Sequence, residues 1–225
     1  MKVLVFDTET TGLPERGASI YDYGKWPYII QISYVLYDLS KNEITSNDYY
    51  VKIDNSIEIP PGSYEKHKLT HEILNEKGVD IVHAMRQFNK VLKSCDLVVG
   101  HNISFDKRMV FVECLRNTVI QYFTTFNGNH REHKPEYCTM KKTTKFCDFK
   151  KLDRHGGIYF KTPSLVELYK KLFPDAIIPD NMHNSLVDVL ITLKCYIKFV
   201  YDQDITEYND DVKNMFLGSC PHPMV

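Results

Sequence analysis

A chain of 225 residues has room for one domain with a full-sized core, and 43% hydrophobic with 25% charged residues is ordinary for a folded domain. The net charge of -1 excludes a generally basic surface, so any contact with phosphates has to come from a local patch. No apolar run is long enough to cross a bilayer, and Met1-Lys2-Val3 enters a strand without a secretory pattern, so a soluble, intracellular protein with no membrane partner is expected.

The first element is the apolar run Val3-Leu4-Val5-Phe6, which reads as a buried central strand. Asp7 and Glu9 follow it at i and i+2, on one face of the strand. Two carboxylates a few ångströms apart repel by roughly 3 kcal/mol at an effective dielectric near 20, so this placement calls for a proton or a cation. Thr10, Thr11 and Gly12 then end the strand with small residues, and Gly12 permits close approach of a ligand.

A loop over 14–27 leads to a second strand over 28–39, with Ile30, Ile32, Tyr34 and Leu36 on its apolar face. Gln31, Ser33 and Tyr37 make the other face less buried. Turn residues over 38–43 and a third strand over 49–53 predict an antiparallel hairpin. Ile59-Pro60-Pro61-Gly62 reads as a break. Thr70 caps a short helix over 71–75, and the 3.6-residue period of Ile81, Met85, Phe88 and Leu92 predicts a helix over 81–94. A second buried strand over 96–100 ends at His101-Asn102. Ser104 is placed to cap a helix over 105–117, with Asp106 in its first turn.

From 119 to 161 the periodicity fades. Within that region Lys141, Lys142, Lys145, Lys150, Lys151 and Arg154 alternate with Phe146 and Phe149, a pattern of either a solvated surface or a strip for phosphates and bases. Ser164-Leu165-Val166-Glu167 is a capping box that opens a helix to about residue 173. Pro179-Asp180-Asn181 marks a loop, and a helix over 184–201 is apolar almost all round. Residues 1–202 read as one domain and 203–225 as a loosely attached tail.

The chemistry gathers at the ends of the two buried strands, where open α/β sheets collect ligands. Asp188 is an odd charge among Leu186, Val187, Val189 and Leu190, and burying it alone costs several kcal/mol. Other acids and bound cations explain it better. His183 precedes it by five positions, about 140° around a helix, so His183 reaches the same cleft only from the preceding loop.

Three segments, D-x-E-T-T-G-L at 7–13, G-H-N-x-x-F-D at 100–106 and H-N-x-x-x-D at 183–188, together resemble the three exonuclease motifs of the DEDDh family, which contains the proofreading epsilon subunit of bacterial DNA polymerase. The sister subfamily carries a Tyr where this chain has Asn184. The resemblance covers residues 1 to about 200. It implies an α/β, RNase H-like exonuclease fold with a mixed central sheet of about five strands flanked by helices. It also implies a 3′→5′ exonuclease acting on nucleic-acid 3′ ends, single-stranded DNA and/or RNA, with release of nucleoside 5′-monophosphates. Two divalent cations, Mg²⁺ or Mn²⁺, are implied, one held by Asp7, Glu9 and Asp188 and the other by Asp7 and Asp106. His183 would accept a proton from the attacking water. Thr10, Thr11, Gly12 and Leu13 would cradle the terminal nucleotide against His101, Asn102 and Phe105. A polymerase or another replication or repair protein is a partner the family allows.

Two other readings stand beside this one. The same fold can serve as a non-catalytic nucleic-acid-binding module, which the intact acid set disfavours. His130, His133, Cys138 and Cys147 can be read as a zinc site, but their spacing fits no common pattern. The six cysteines (Cys95, Cys114, Cys138, Cys147, Cys195, Cys220) are otherwise expected to be reduced thiols.

Overall fold

The computed structural model describes residues 1–178 and 184–219. Strand β1 (Lys2–Thr10) pairs antiparallel with β2 (Ile29–Asp38), which pairs antiparallel with β3 (Glu43–Tyr50). The third strand lies several residues earlier than expected because the hairpin turn is tight, with Asn42 in the left-handed region at φ 57°. The break predicted around Pro60 is instead a helix start. Pro61 occupies the first turn of α1 (Pro61–His67), where its missing N–H costs no helical hydrogen bond. Helix α2 (His71–Lys77) is capped by the Thr70 hydroxyl, and α3 (Ile81–Ser94) has the bounds its period predicts.

Strand β4 (Leu97–Gly100) adds parallel to β1, and α4 (Ser104–Arg116) follows after a short turn. Ser104 is the first helical residue rather than the cap. Ile103 holds the cap position and no side chain closes it. The weak stretch contains an antiparallel hairpin, β5 (Thr124–Asn127) with β6 (His130–His133), and then β7 (Glu136–Cys138), which joins β4 as the fifth strand of the main sheet. Two short helices, α5 (Thr139–Lys142) and α6 (Thr144–Cys147), precede a second small hairpin of β8 (Lys150–Leu152) and β9 (Ile158–Phe160). The capping box at Ser164 and Glu167 opens α7 (Leu165–Leu172), and Asn184 caps α8 (Ser185–Tyr201). Segment 203–219, expected as a loose tail, forms α9 (Ile205–Tyr208) and α10 (Asp210–Ser219). Ile205 and Val212 are fully buried there, so this segment is part of the packed body.

The main sheet runs β3-β2-β1-β4-β7 and is mixed. Leu4 and Phe6 point from β1 into a core with Met85 and Phe88 of α3 and Met109 and Val110 of α4. Val3 and Val5 point the other way, to Val189, Leu190 and Leu193 of α8. The result is three layers, helix on sheet on helix. That second layer explains a departure from expectation. Gln31, Ser33 and Tyr37 are buried beneath it, and their polar atoms are matched: Gln31 Nε2 and Ser33 Oγ donate to Asp48 Oδ1 at 2.8 and 2.7 Å, and the Tyr37 hydroxyl donates to Asn42 Oδ1 at 2.7 Å.

The proposed zinc ligands do not converge. His130 and His133 lie exposed on β6, while Cys138 and Cys147 are buried, and among the described residues these four form no metal-holding group. Cys95, Cys114, Cys138, Cys147 and Cys195 are free and buried. Burial pushes the Cys95 and Cys114 thiols up to about 11, which leaves them protonated and unreactive. Cys220 lies outside the described residues, as does the loop expected at Pro179-Asp180-Asn181. No described helix is long and apolar enough to cross a membrane.

The long loop between β1 and β2 is pinned to α4 by one ion pair. Arg116 donates to Glu113 Oε1 at 2.8 Å, to the carbonyls of Pro27 at 2.7 Å and Tyr23 at 2.5 Å, and to the Trp26 carbonyl, and it stacks on Tyr28 at 4.1 Å. Glu113 also accepts from the Ile29 N–H at 3.2 Å. Burial still holds the Glu113 carboxyl above its ordinary range despite Arg116, so the pair is costly to break. Arg116→Ala leaves that carboxylate buried without its partner and is expected to lower unfolding free energy by about 3–5 kcal/mol in a urea titration.

Candidate active site

The site exists because β1 outruns its parallel neighbour. Strand β4 pairs with β1 only from Val3 to Val5 and then turns away at Gly100. Beyond that point β1 keeps β2 on one side and has an open edge on the other. The Thr8 N–H on that edge donates to Asp106 Oδ1 at 3.1 Å, and the Thr8 hydroxyl donates to the same oxygen at 2.8 Å. A side chain from α4 thus stands in for the missing strand. Two backbone features let α4 start so close. A Cβ on Gly100 would come within 3.0 Å of Ile103 Cβ, and Asn102 adopts φ 65°, a conformation asparagine tolerates better than most residues.

Helix α8 is fixed to the same place by the Ser185 hydroxyl, which donates to the Asp7 carbonyl at 2.8 Å. Asp188 lies three residues further along, nearly one helical turn. Asp7, Glu9 and Asp188 each offer a carboxylate oxygen, and the three oxygens lie within 4.8 Å of one another. Asp106 and Asp188 lie in the first turns of α4 and α8, where the helix dipole favours negative charge.

The carboxylates report their crowding. Burial pushes Asp7 up to about 6, offset in part by the Ser185 hydroxyl. Glu9 is pushed up to about 9, first by burial and then by Asp7, Asp188 and Asp106, with Lys66 acting in the opposite direction. Asp106 is held well above its ordinary value by burial and by Asp7, against the pull of the Thr8 hydrogen bonds.

These groups line a cleft of about 240 Å³. It is lined by Thr10, Gly12 and Leu13 at and beyond the end of β1, and by His101, Asn102 and Phe105 from the turn after β4 and the start of α4. Leu13 is 79% exposed, so it serves the cleft and not the core. Phe105 does both, since it also packs against the core behind α4. Thr11 does not line the cleft. Its N–H and hydroxyl pair with the Tyr28 backbone, each at 3.0 Å, so it holds the loop in place. Gly12 is not required by its own chain, because a Cβ there would meet only Ser63 Oγ at 3.9 Å.

His101 is locked from both sides. The Pro163 carbonyl can only accept, so Nε2 carries the proton toward it at 3.1 Å and Nδ1 faces the Thr139 hydroxyl at 2.9 Å. Burial lowers its pKa to about 4, so the ring is a neutral wall. His183 lies outside the described residues.

Sequence reasoning missed part of the cleft lining. Ser63, Lys66 and His67 come from α1, docked by a hydrogen bond from the Ser63 hydroxyl to the Thr11 carbonyl at 3.2 Å. Proline at the first helical position, followed by an uninterrupted run to His67, was the available signal.

The RNase T family model, described as "Exonuclease", matches residues 4–196. No curated protein sequence matches the chain significantly. Among solved structures, E. coli exonuclease I in complex with a dT13 oligonucleotide is similar at a TM-score of 0.62 and 16% identity, covering 95% of this chain and 45% of that one. The same enzyme with a dA16 oligonucleotide gives 0.62 and 16%, covering 88% and 41%. A moderately thermophilic exonuclease I from Methylocaldum szegediense gives 0.61 and 16%, covering 92% and 42%. The chain spans less than half the length of these structures, and at this identity they show the fold: five mixed strands flanked by helices, as in the exonuclease domain. Because the family match runs through nearly the whole described sheet and its helices, the chain belongs to the RNase T/DEDD exonuclease family.

Proposed function

We infer that the protein is a 3′→5′ exonuclease that hydrolyses phosphodiester bonds at single-stranded nucleic-acid 3′ ends, DNA and/or RNA, and releases nucleoside 5′-monophosphates. The observation that carries this reading is the meeting of acids from three distant segments, Asp7 with Glu9, Asp106 and Asp188, at the open end of β1.

The donor set suits two hard divalent cations, Mg²⁺ or Mn²⁺. All the donors are carboxylate oxygens, and burial together with the neighbouring carboxylates pushes Glu9 up to about 9. Asp7, Glu9 and Asp188 are assigned to one cation, Asp7 and Asp106 to the other. Asp106 Oδ1 is engaged by Thr8, which leaves Oδ2 for that role. When bound, the cations supply Lewis-acid stabilisation of the phosphoryl oxygens and a more acidic water.

The chain's own groups do the rest. Leu13 wedges against the terminal base, Phe105 faces it, and Lys66 meets phosphate charge from α1. The neutral His101 shapes the wall without adding charge. Proton acceptance from the attacking water is assigned to His183 on the H-N-x-x-x-D motif, since an imidazole titrates near neutral pH.

Asp7→Ala and Asp188→Ala are each expected to abolish Mg²⁺-dependent nucleotide release from 5′-labelled strands while the circular dichroism spectrum is kept. Activity near the wild-type level in either variant overturns the assignment. His183→Ala should lower kcat by at least a hundredfold with KM changed less than threefold, and an equal change in both makes His183 a binding residue.

A stability measurement follows from the raised carboxyls. In the metal-free protein Glu9 keeps its proton in the folded state after the unfolded chain has released it, so stability falls as pH rises toward about 9. His101 acts in the opposite direction between about 4 and 6.5, because the unfolded chain takes up a proton there that the folded ring refuses. The clean window is therefore pH 6.5 to 9. Over it the Tm in EDTA is expected to drop, and Glu9→Gln or added Mn²⁺ is expected to flatten the profile. A flat wild-type profile in EDTA contradicts the burial and crowding of Glu9 that the geometry implies.

A further inference from the structure

The basic, aromatic segment between α5 and α7 plays no part in the cleft chemistry, and its form asks for a ligand. Strands β8 and β9 have three residues each and pair only with one another. Cross-strand partners share a face, so Lys150 with Phe160 and Leu152 with Ile158 lie on one side and Lys151 with Tyr159 on the other. All six are exposed, Leu152 and Ile158 at 70% each. An isolated two-stranded hairpin of this length, with apolar residues uncovered, is marginal by itself.

Its charge is one-sided. Asp148 pairs with Lys150 at 3.4 Å, and Asp153 Oδ1 is occupied by the N–H groups of His155 and Gly157 at 2.8 and 2.9 Å. Lys151 and Arg154, with Lys141, Lys142 and Lys145 on the neighbouring short helices, form no ion pair among the described residues. The segment is also joined to the cleft at both ends. Thr139, at the start of α5, and Pro163, three residues past β9, are the two partners of His101 in the cleft wall. Phe160 thus lies within about 10 Å of backbone from that wall.

We propose that the β8–β9 hairpin is a platform for single-stranded nucleic acid, which holds nucleotides upstream of the 3′ end by pairing phosphates with Lys151 and Arg154 and stacking a base on Tyr159, the ring that shares a face with Lys151. Interleaved cations and exposed rings match a strand of alternating phosphates and bases, and an acidic protein surface would use only the cations. The direction of the strand rests on the exonuclease reading, but binding to the hairpin does not.

The test is fluorescence anisotropy in EDTA with 5′-labelled oligothymidylate and oligouridylate, each of 20 and of 4 nucleotides, over a range of salt. Lys151→Glu/Arg154→Glu is expected to weaken binding of the 20-mers at least tenfold and to reduce the salt slope by about 1.4, from two phosphate contacts at about 0.7 each. The loss on the 4-mers should be at least threefold smaller. Tyr159→Ala should weaken the 20-mers about fivefold or more, and Tyr159→Trp should restore them, which a merely unfolded hairpin would not allow. Unchanged 20-mer affinity and slope overturn the proposal, as does an equal loss on both lengths. A dimer that dissociates on the charge reversal with 20-mer binding intact also overturns it, in favour of a second copy of the chain. Length-dependent binding without any Mg²⁺-dependent hydrolysis supports the platform and removes the nuclease instead.

Discussion

The structure turns on one missing partner. A central strand normally has its hydrogen bonds met on both edges, and β1 loses its parallel neighbour halfway along. The Asp106 carboxylate takes up the freed Thr8 N–H, and that single bond sets where α4 can begin. Everything at the site is referred to it: the short turn through Gly100 and Asn102, the depth at which Asp106 sits with 3% of its surface exposed, and its nearness to Asp7. A sheet with β4 extended by two residues would satisfy the backbone better and close the cleft.

Such a site strains the protein that carries it. Several like charges are held where water is scarce, and each raised carboxyl is stability given up at neutral pH. The frame around them is correspondingly firm. Both faces of β1 are packed, by aromatic and aliphatic side chains of α3 and α4 on one side and by α8 on the other. Two of the charges sit in the first turns of helices, and the Glu113–Arg116 pair ties down the loop that follows Leu13. The strain sits at the chemistry and the compensation lies behind it.

What the sequence reveals follows from how local each signal is. The buried strand before Asp7, the period of Ile81, Met85, Phe88 and Leu92, and the capping box at Ser164 are all set by neighbours within a turn or two. They emerge with bounds close to those observed. The acid cluster is legible for a similar reason: Asp7 and Glu9 share a strand face, and Asp188 has no apolar excuse. Gln31, Ser33 and Tyr37 mislead because their burial depends on α8, some 150 residues away, and on hydrogen bonds to Asp48 and Asn42 that polarity alone does not announce. Strand β7 is three residues long and takes its place only by pairing with β4. The tail misleads in the opposite sense: its acidic start hides Ile205 and Val212, which are fully buried against the core.

The charges of the cleft and of the hairpin divide the work of binding. His101 is kept neutral by burial and by its two partners, so the cleft has Lys66 as a facing cation against four acids. In the proposed exonuclease, divalent cations offset these acids so that the phosphodiester of a 3′ end can be accepted there. The hairpin carries the opposite sign, so on the platform proposal it needs no cation to attract a strand. With His101 bonded to Thr139 and Pro163 at the two ends of the basic segment, one imidazole links the cleft wall to that segment. On these two proposals a strand is held before it is cut, and the metal decides only the second step.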